Sequence, residues 1–252
     1  MLSKKLAVTL PTGDHNLDQN EEYFILNDET DIKIKFHEYE KIYQIPGLYE
    51  EIFHHHLKCQ SPEVIADMLY KNVQKDEQNY EELRILDFGA GNGMVAEQLQ
   101  TENPDIIVGI DILEEAKMAA LRDREECYED YFVVDLDAPE EAVKKKLESY
   151  HLNALVSVAA LGFDHIPPNS FINAFNLIEK EGWIAFNIRD RFLTKEDDSG
   201  FKNTLDWMSQ GFIELLDERT YRHRYAVNGE EIHYTALIGR KLADMGHQFP
   251  RT

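Results

Sequence analysis

Short apolar runs alternate with amphipathic segments through the centre of the chain. Ile85 and Leu86 open one such run, which ends at Asp87 and is followed by an amphipathic segment at 94–99. Similar runs recur at 105–110, 131–134, 154–158 and 183–188. Strands that are apolar on both faces are typical of a parallel sheet covered by helices. The pattern therefore predicts an α/β fold built from βαβ units.

The C-terminal part of the chain shows a different pattern. A helix is predicted at 203–210, and a strand at 212–216 that continues through an irregular stretch to Tyr225. Asn228 and Gly229 then form the pair typical of a tight hairpin turn, and 232–238 returns as a strand. We therefore expect an antiparallel hairpin at one side of the parallel sheet.

The N-terminal part divides into three segments. Residues 1–31 are polar except for a β-like run at 23–26, and predict a poorly ordered or loosely docked arm without chemistry. Phe36, Tyr39 and Tyr43 share one helical face, and Pro46-Gly47 ends that helix before a second one begins near Leu48. A helix at 62–72 and a charged linker at 74–82 follow. The predicted division is an arm at 1–35, a helical segment at 36–78 and an α/β domain at 79–252.

The turn after the first central strand carries the main chemical signal. Its sequence is DFGAGNG, with Asp87, Gly89, Gly91 and Gly93 at alternate positions. Glycine is required where the backbone takes a positive φ or comes close to a ligand, because a Cβ would occupy that space. A dinucleotide-binding turn would follow G-x-G-x-x-G, but its third glycine position is Met94.

The D-x-G-x-G-x-G spacing resembles the first motif of class I S-adenosylmethionine-dependent methyltransferases. That resemblance implies a Rossmann-like α-β-α sandwich with seven strands in the order 3-2-1-4-5-7-6, the last two forming the antiparallel hairpin. It also implies S-adenosylmethionine as cofactor. The sequences VSVAALGFDHIPP, ERTYRHRY and HYTALIGRKL are most similar to the methyltransferase-like group of the Williams–Beuren region.

The resemblance assigns cofactor contacts along the chain. Asp111 ends the second strand, just over twenty residues past the turn, where an acid can accept hydrogen bonds from both ribose hydroxyls in dinucleotide and methyltransferase sites alike. Asp135 and Leu136 are implied to face adenine, although Asp135 could also be a surface acid. The full set of predicted cofactor residues is Tyr43, Asp87, Gly89, Ala90, Gly91, Asp111, Ile112, Asp135, Leu136 and Val158, with Asp87 suited to the ammonium group.

Two residues are predicted on the substrate side. His165 follows the fourth strand in a loop at the carboxyl end of the sheet, in a segment that resembles the H-(I/V)-P ending of small-molecule methyltransferases. It could be a general base, a donor to the substrate or a cap on the loop. Arg189, with Arg191, could clamp a carboxylate or pair with neighbouring acids. We take His165 and Arg189 as the catalytic candidates.

The aromatic segment at 36–57 has two interpretations. It resembles the Y-D-x-W-A-x-x-Y-D segment that covers the cofactor in many small-molecule methyltransferases, with His37 and Gln44 in place of the aspartates. The aromatic side chains could instead pack permanently on the core. We reject the histidine run 54–56 as a metal site, because adjacent helical residues point about 100° apart and cannot converge on one ion.

Composition narrows the choice of substrate and compartment. The chain has 26 Lys and Arg against 48 Asp and Glu, a formal charge of −22, which disfavours a nucleic-acid partner. It shows no signal or membrane-spanning run, and its two cysteines give no disulfide framework, so we expect a cytoplasmic protein without a membrane partner. The expected function is in-line methyl transfer to a small molecule. The alternatives are an NAD-linked oxidoreductase and a nucleoside-binding protein without turnover.

Overall fold

A computed structural model of the protein describes residues 6–11, 17, 21–27, 30–76, 82–162, 166–194, 197 and 199–246. The strands are β1 (Ala7–Thr9), β2 (Tyr23–Asn27), β3 (Asp31–Lys35), β4 (Arg84–Phe88), β5 (Ile106–Asp111), β6 (Asp130–Val133), β7 (Ala154–Ser157), β8 (Trp183–Arg189), β9 (Ile213–Tyr225) and β10 (Glu231–Lys241). The α-helices are α1 (Tyr39–Tyr43), α2 (Ser61–Lys75), α3 (Met94–Leu99), α4 (Glu114–Asp123), α5 (Glu141–Glu148), α6 (Pro168–Asn176) and α7 (Phe201–Met208). A π-helix at Glu50–His56 lies between α1 and α2.

Seven of these strands form the main sheet, in the order β6-β5-β4-β7-β8-β10-β9. The first five are mutually parallel, while β10 is antiparallel to both β8 and β9. Numbered along the chain from β4, this order is 3-2-1-4-5-7-6. The strand order and the antiparallel C-terminal hairpin predicted from the sequence are confirmed.

Helices cover both faces of the sheet because successive strand residues point to opposite sides. Ile85 packs with Leu69 of α2 and Leu99 of α3 on one face. Its neighbour Leu86 belongs to the core of the other face, to which α5, α6 and α7 contribute. The expected three-layer sandwich follows, with the carboxyl ends of the parallel strands at one edge.

Strand β9 differs from the prediction. The sequence indicated an irregular stretch before Tyr225, but β9 pairs with β10 over its whole length. The register shifts at Ile232/His233 and at Ile238/Gly239, and the two strands remain paired on both sides of each shift. The charged residues that suggested irregularity stand on the outer strand of the sheet, where charge is tolerated and hinders pairing with another chain.

The predicted N-terminal arm is also folded in its described part. Strands β1, β2 and β3 form an antiparallel sheet of their own. Phe24 and Ile34 from that sheet are buried with Phe36, Ile42 and other residues in a separate apolar core. Side chains on one side of these strands are buried, Phe24 and Leu26 in β2 and Ile34 in β3, and they supply the buried face. The expectation was a poorly ordered or loosely docked arm, and the described part of this region is a small sheet with its own buried face.

A buried ion pair ties this N-terminal sheet to the C-terminal hairpin. Arg224 Nη2 donates to Glu22 Oε2 at 2.6 Å, and both side chains are 3 % exposed. Val227 N donates to Glu22 Oε1 at 2.7 Å, and Arg224 Nη1 donates to the carbonyl oxygen of Tyr225 at 2.8 Å. Residues more than two hundred positions apart thus hold the N-terminal region against the end of β9.

Candidate active site

The glycine turn after β4 brings the backbone close to its neighbours. Gly89 has φ +78°, and a Cβ at this position would lie 2.6 Å from Ala160 Cβ. Gly91 has φ +55°, and a Cβ there would lie 2.7 Å from the hydroxyl of Tyr43. Larger residues at either position would collide with these neighbours as well as strain the backbone. The turn therefore fits closely against both the loop after β7 and the aromatic segment.

Asp111, the last residue of β5, is held next to this turn by backbone amides. Gly91 N donates to its Oδ2 at 2.9 Å, and Leu113 N donates to its Oδ1 at 3.0 Å. Burial raises the pKa of Asp111, against the lowering effect of the hydrogen bonds from Leu113, Gly91 and Ile112. Each oxygen can accept a further hydrogen bond, and Asp111 lines the cavity described next.

A cavity of about 380 Å³ opens at the carboxyl ends of the parallel strands. Its floor and walls come from the ends of β4, β5, β6 and β7, and its cover comes from the aromatic segment. It is lined by His37, Glu38, Tyr39, Glu40, Lys41, Tyr43, Tyr49, Phe88, Gly89, Ile110, Asp111, Ile112, Leu113, Val134, Asp135, Leu136, Val158, Ala159, Ala160, Ile166, Pro167 and Ser170. The volume lies in the range of small-molecule pockets.

A second, smaller cavity of about 80 Å³ adjoins the first. The two share Gly89, Val158 and Ala159, together with aromatic residues of the cover. The smaller cavity also reaches the glycine turn, α2 and the end of β9, where Ser61 and His223 line it. The two cavities are therefore neighbours that share part of their walls.

The cover is fixed over the glycine turn by polar contacts and stacked rings. Tyr43 stacks between Tyr39 and Tyr49, with ring centroids 5.9 and 5.4 Å apart. Arg122 Nη1 donates to the carbonyl oxygen of Tyr43 at 3.0 Å. Glu50 Oε1 accepts from Asn92 Nδ2 at 2.9 Å, which joins the π-helix to the turn.

This segment is less helical than the sequence predicted. Helix α1 spans only Tyr39–Tyr43, and Phe36 lies before it in the core of the N-terminal sheet. The prediction that Phe36, Tyr39 and Tyr43 share one helical face is therefore wrong. Phe36 directly follows β3 and packs with the buried residues of the N-terminal sheet instead. Within the histidine run, His54 lies 3.9 Å from Glu63 and His56 lies 3.3 Å from Glu51.

Most of the predicted cofactor residues lie together at this site. Those that line the larger cavity, the smaller cavity or both are Tyr43, Gly89, Ala90, Gly91, Asp111, Ile112, Asp135, Leu136 and Val158. Asp135 stands at the exposed rim, where its Oδ1 accepts from Asp137 N at 2.8 Å and from Ser170 Oγ at 3.2 Å. The chain thus gathers at one place residues from four strand ends and from the aromatic segment.

Asp87 is the exception, because it lines neither cavity. Its side chain is fully buried, and Tyr128 Oη donates to its Oδ2 at 2.8 Å. Its Oδ1 is buried without a hydrogen-bond partner among the residues that the structure describes. Burial raises the pKa of Asp87 to about 7, the hydrogen bond from Tyr128 opposing this shift and the charge of Asp111 adding to it.

The two predicted catalytic residues have different outcomes. His165 lies outside the described residues, although Ile166 and Pro167, which follow it, line the larger cavity. Arg189 ends β8 and is half-buried, at the same edge of the sheet, but it lines neither cavity.

Sequence reasoning missed a buried polar cluster beside the smaller cavity. Ser61 Oγ lies 2.6 Å from both the hydroxyl of Tyr221 and Nδ1 of His223. Asn187 Nδ2 donates to Ser61 Oγ at 3.0 Å and to Tyr221 Oη at 2.6 Å. The available signal was the i, i+2 spacing of Tyr221 and His223, which places both on one face of β9.

Comparison with known proteins bears on this arrangement. A family model described as a methyltransferase domain matches residues 53–234. The chain belongs to the methyltransferase domain family. No curated protein matches it.

Solved structures that resemble this methyltransferase are distant in sequence. The N-methyltransferase NodS from Bradyrhizobium japonicum, in complex with S-adenosylhomocysteine, has a TM-score of 0.55 at 10% identity, covering 81% of this chain and 96% of that one. An S-adenosylmethionine-dependent methyltransferase from Clostridium acetobutylicum has a TM-score of 0.53 at 8% identity, covering 78% and 97%. A similar enzyme from Anabaena variabilis has a TM-score of 0.53 at 13% identity, covering 81% and 93%. At such identities the likeness concerns the fold.

Family and fold together confirm the expectation of an S-adenosylmethionine-dependent methyltransferase with S-adenosylmethionine as cofactor. The residues present suit that cofactor. The glycine turn leaves no room for a Cβ at Gly89 or Gly91, and Asp111 presents a carboxylate to the cavity. Among the described residues no helix has the length and apolarity to cross a membrane.

Proposed function

We propose that this methyltransferase acts on a small molecule bound inside the closed site. The observation that carries the proposal is the cover formed by Tyr39, Tyr43 and Tyr49, which lies over a cavity of about 380 Å³ at the carboxyl edge of the sheet. A substrate must fit beneath this cover together with the cofactor. The formal charge of −22 adds to the argument, because it disfavours a polyanionic substrate.

The chain's residues would hold the cofactor in the larger cavity and along the glycine turn. Asp111 would accept hydrogen bonds from the ribose hydroxyls, and Asp135 with Leu136 would bind adenine in the larger cavity. Gly89 and Gly91 would allow the amino-acid end to lie against the turn beside the smaller cavity. The bound cofactor supplies a methyl group on a sulfonium to a nucleophile of the substrate. What the protein adds is alignment and exclusion of water, which carry most of the rate in such a transfer.

We also propose His165 and Arg189 as substrate-side residues. The loop that holds His165 leads into Ile166, which lines the larger cavity, and Arg189 ends the strand next to β7. The similarity of VSVAALGFDHIPP to the Williams–Beuren-region group supports the same placement and the closer grouping. Replacing either residue by Ala should abolish turnover and leave cofactor affinity within a few-fold.

Two measurements test the proposed function. Calorimetry should detect S-adenosylhomocysteine binding and no NAD binding. The protein is then incubated with S-adenosylmethionine and separate pools of small metabolites, RNA and protein, and mass spectrometry follows methyl transfer. Methylation confined to the metabolite pool supports the proposal, and methylation of RNA or protein refutes the substrate class. Cofactor binding with no transfer to any pool would identify a nucleoside-binding protein instead.

A further inference from the structure

The polar cluster beside the smaller cavity has an internal order that fixes the state of one histidine. Its members are Ser61 at the start of α2, Asn187 in β8, and Tyr221 and His223 in β9. Their exposed fractions are 0 %, 0 %, 7 % and 5 %. Groups buried this deeply need hydrogen-bond partners, so the positions of their hydrogens can be worked out from donor and acceptor counts.

Asn187 sets the direction of the network. Its Oδ1 accepts from Ala159 N at 2.6 Å, which orients the amide group. Both Nδ2 hydrogens are then available, and they point to Ser61 Oγ and Tyr221 Oη. Each hydroxyl oxygen therefore already accepts one hydrogen bond from Asn187.

The two hydroxyl hydrogens can be placed in two ways. If Tyr221 donates to Ser61 and Ser61 donates to Nδ1 of His223, both hydrogens have acceptors. If Ser61 donates to Tyr221, the phenolic hydrogen of Tyr221 has no acceptor in the part of the chain that the structure describes. A buried polar group without a partner costs on the order of 1–3 kcal/mol. The first arrangement is favoured, and it makes Nδ1 of His223 an acceptor.

His223 must then carry its proton on Nε2. Burial, with the positive charges of Arg224 and Arg189, holds the pKa of His223 well below its usual 6.5, so the ring is neutral and has one proton. The ring stacks on Tyr234 with centroids 4.1 Å apart, and it lines the smaller cavity. Nε2 has no hydrogen-bond partner within the described ranges, so its N–H is available to a ligand.

We propose that the smaller cavity is the acceptor-substrate subsite and that Nε2–H of His223 donates a hydrogen bond to a carbonyl or carboxylate oxygen of the substrate. The subsite shares Val158 and Ala159 with the larger cavity, so an oxygen held there would lie next to a cofactor bound in that cavity. A fixed N–H donor offers no acceptor to an ammonium group, so the subsite favours an oxygen acceptor. The assignment of this ligand as the substrate rests on the proposed function, whereas the protonation of His223 does not depend on it.

Nitrogen NMR of protein labelled with ¹⁵N-histidine tests the protonation directly. His223→Phe identifies the signals of this residue among the ten histidines. The expected pattern is a protonated Nε2 and an unprotonated Nδ1 at neutral pH. Ser61→Ala should remove this preference, and the exposed His233→Phe should leave it unchanged. A proton on Nδ1, or on both nitrogens, would overturn the proposal.

Small probes then test the ligand chemistry. With S-adenosylhomocysteine present, acetate and acetamide should shift the Nε2 signal and methylamine should not. In His223→Phe, acetamide affinity, followed on backbone amide signals near the cavity, should fall about three- to tenfold, the effect of one neutral hydrogen bond.

The remaining outcomes separate this proposal from the proposed function. If S-adenosylhomocysteine alone shifts Nε2 and blocks the response to acetate, the oxygen belongs to the cofactor carboxylate and the substrate subsite is refuted. No response to any probe also refutes it. If S-adenosylhomocysteine does not bind at all, the proposed function fails, but the protonation of His223 stands as measured.

Discussion

Asp87 offers the sharpest test of how the strand end and the glycine turn are built. Its carboxyl group is fully buried and, within the described part of the chain, has one hydrogen-bond donor, Tyr128. Burial raises its pKa from 3.8 to about 7. The change Asp87→Asn keeps the shape of the side chain and removes its titration.

The sign of the effect follows from proton binding. Between pH 4 and pH 7 the folded protein holds a proton on Asp87 that the unfolded chain has lost. Stability therefore decreases as the pH rises through this window. With the two pKa values above, Asp87 alone should lower the free energy of unfolding by about 2.5 kcal/mol between pH 5 and pH 8.

Denaturant unfolding at pH 5, 6, 7 and 8 measures this dependence. Wild type should lose about 2.5 kcal/mol more than Asp87→Asn across the series. The control Asp105→Asn removes an exposed carboxyl group before β5 and should keep the wild-type slope. If wild type and Asp87→Asn show equal slopes, the carboxyl is ionised throughout and the argument from burial fails.

Three further predictions concern the site and its cover. Asp111→Ala should weaken S-adenosylhomocysteine binding roughly 30- to 150-fold by calorimetry, the loss of charge-assisted hydrogen bonds to ribose, and unchanged affinity in a folded variant would refute that role. Glu22→Gln leaves Arg224 buried without its partner and should cost about 3 kcal/mol in the free energy of unfolding, whereas a loss below about 1 kcal/mol would show that the pair is solvated. Tyr43→Ala should cost roughly 3 kcal/mol because its ring is buried between two others. No loss of stability, with hydrogen exchange across 36–57 slowed only by S-adenosylhomocysteine, would instead establish a lid ordered by its ligand.

The parallel part of the fold was predictable because its signals are local. A strand buried on both faces needs a continuous apolar run, and a turn that touches a ligand needs glycine within a few residues. Ile85, Leu86 and the three glycines satisfy both requirements within ten positions. Asp111 and Asp135 could be placed for the same reason, since the carboxyl ends of parallel strands meet at one edge.

The N-terminal sheet was missed because its buried face is short and interrupted. Phe24 and Ile34 come from strands of five residues that are separated by polar residues. The average composition of the whole N-terminal region is therefore polar, and it hides the short apolar strands. Its attachment depends on Glu22 and Arg224, which no local pattern connects. An alternation such as DIKIK is a sufficient signal only when a partner strand is known.

His223 shows why the remaining site could not be predicted. Its protonation depends on three hydrogen bonds in sequence. Ala159 N donates to Asn187 and orients its amide, and Asn187 donates to the hydroxyl of Tyr221. Ser61 then donates to Nδ1 of His223. Those residues come from the end of β7, from β8, from α2 and from β9, so no stretch of sequence contains more than two of them. A donor fixed in this way needs no charge and no titration in the physiological range. A pattern search for titratable catalytic groups therefore does not find His223, although it lines the smaller cavity.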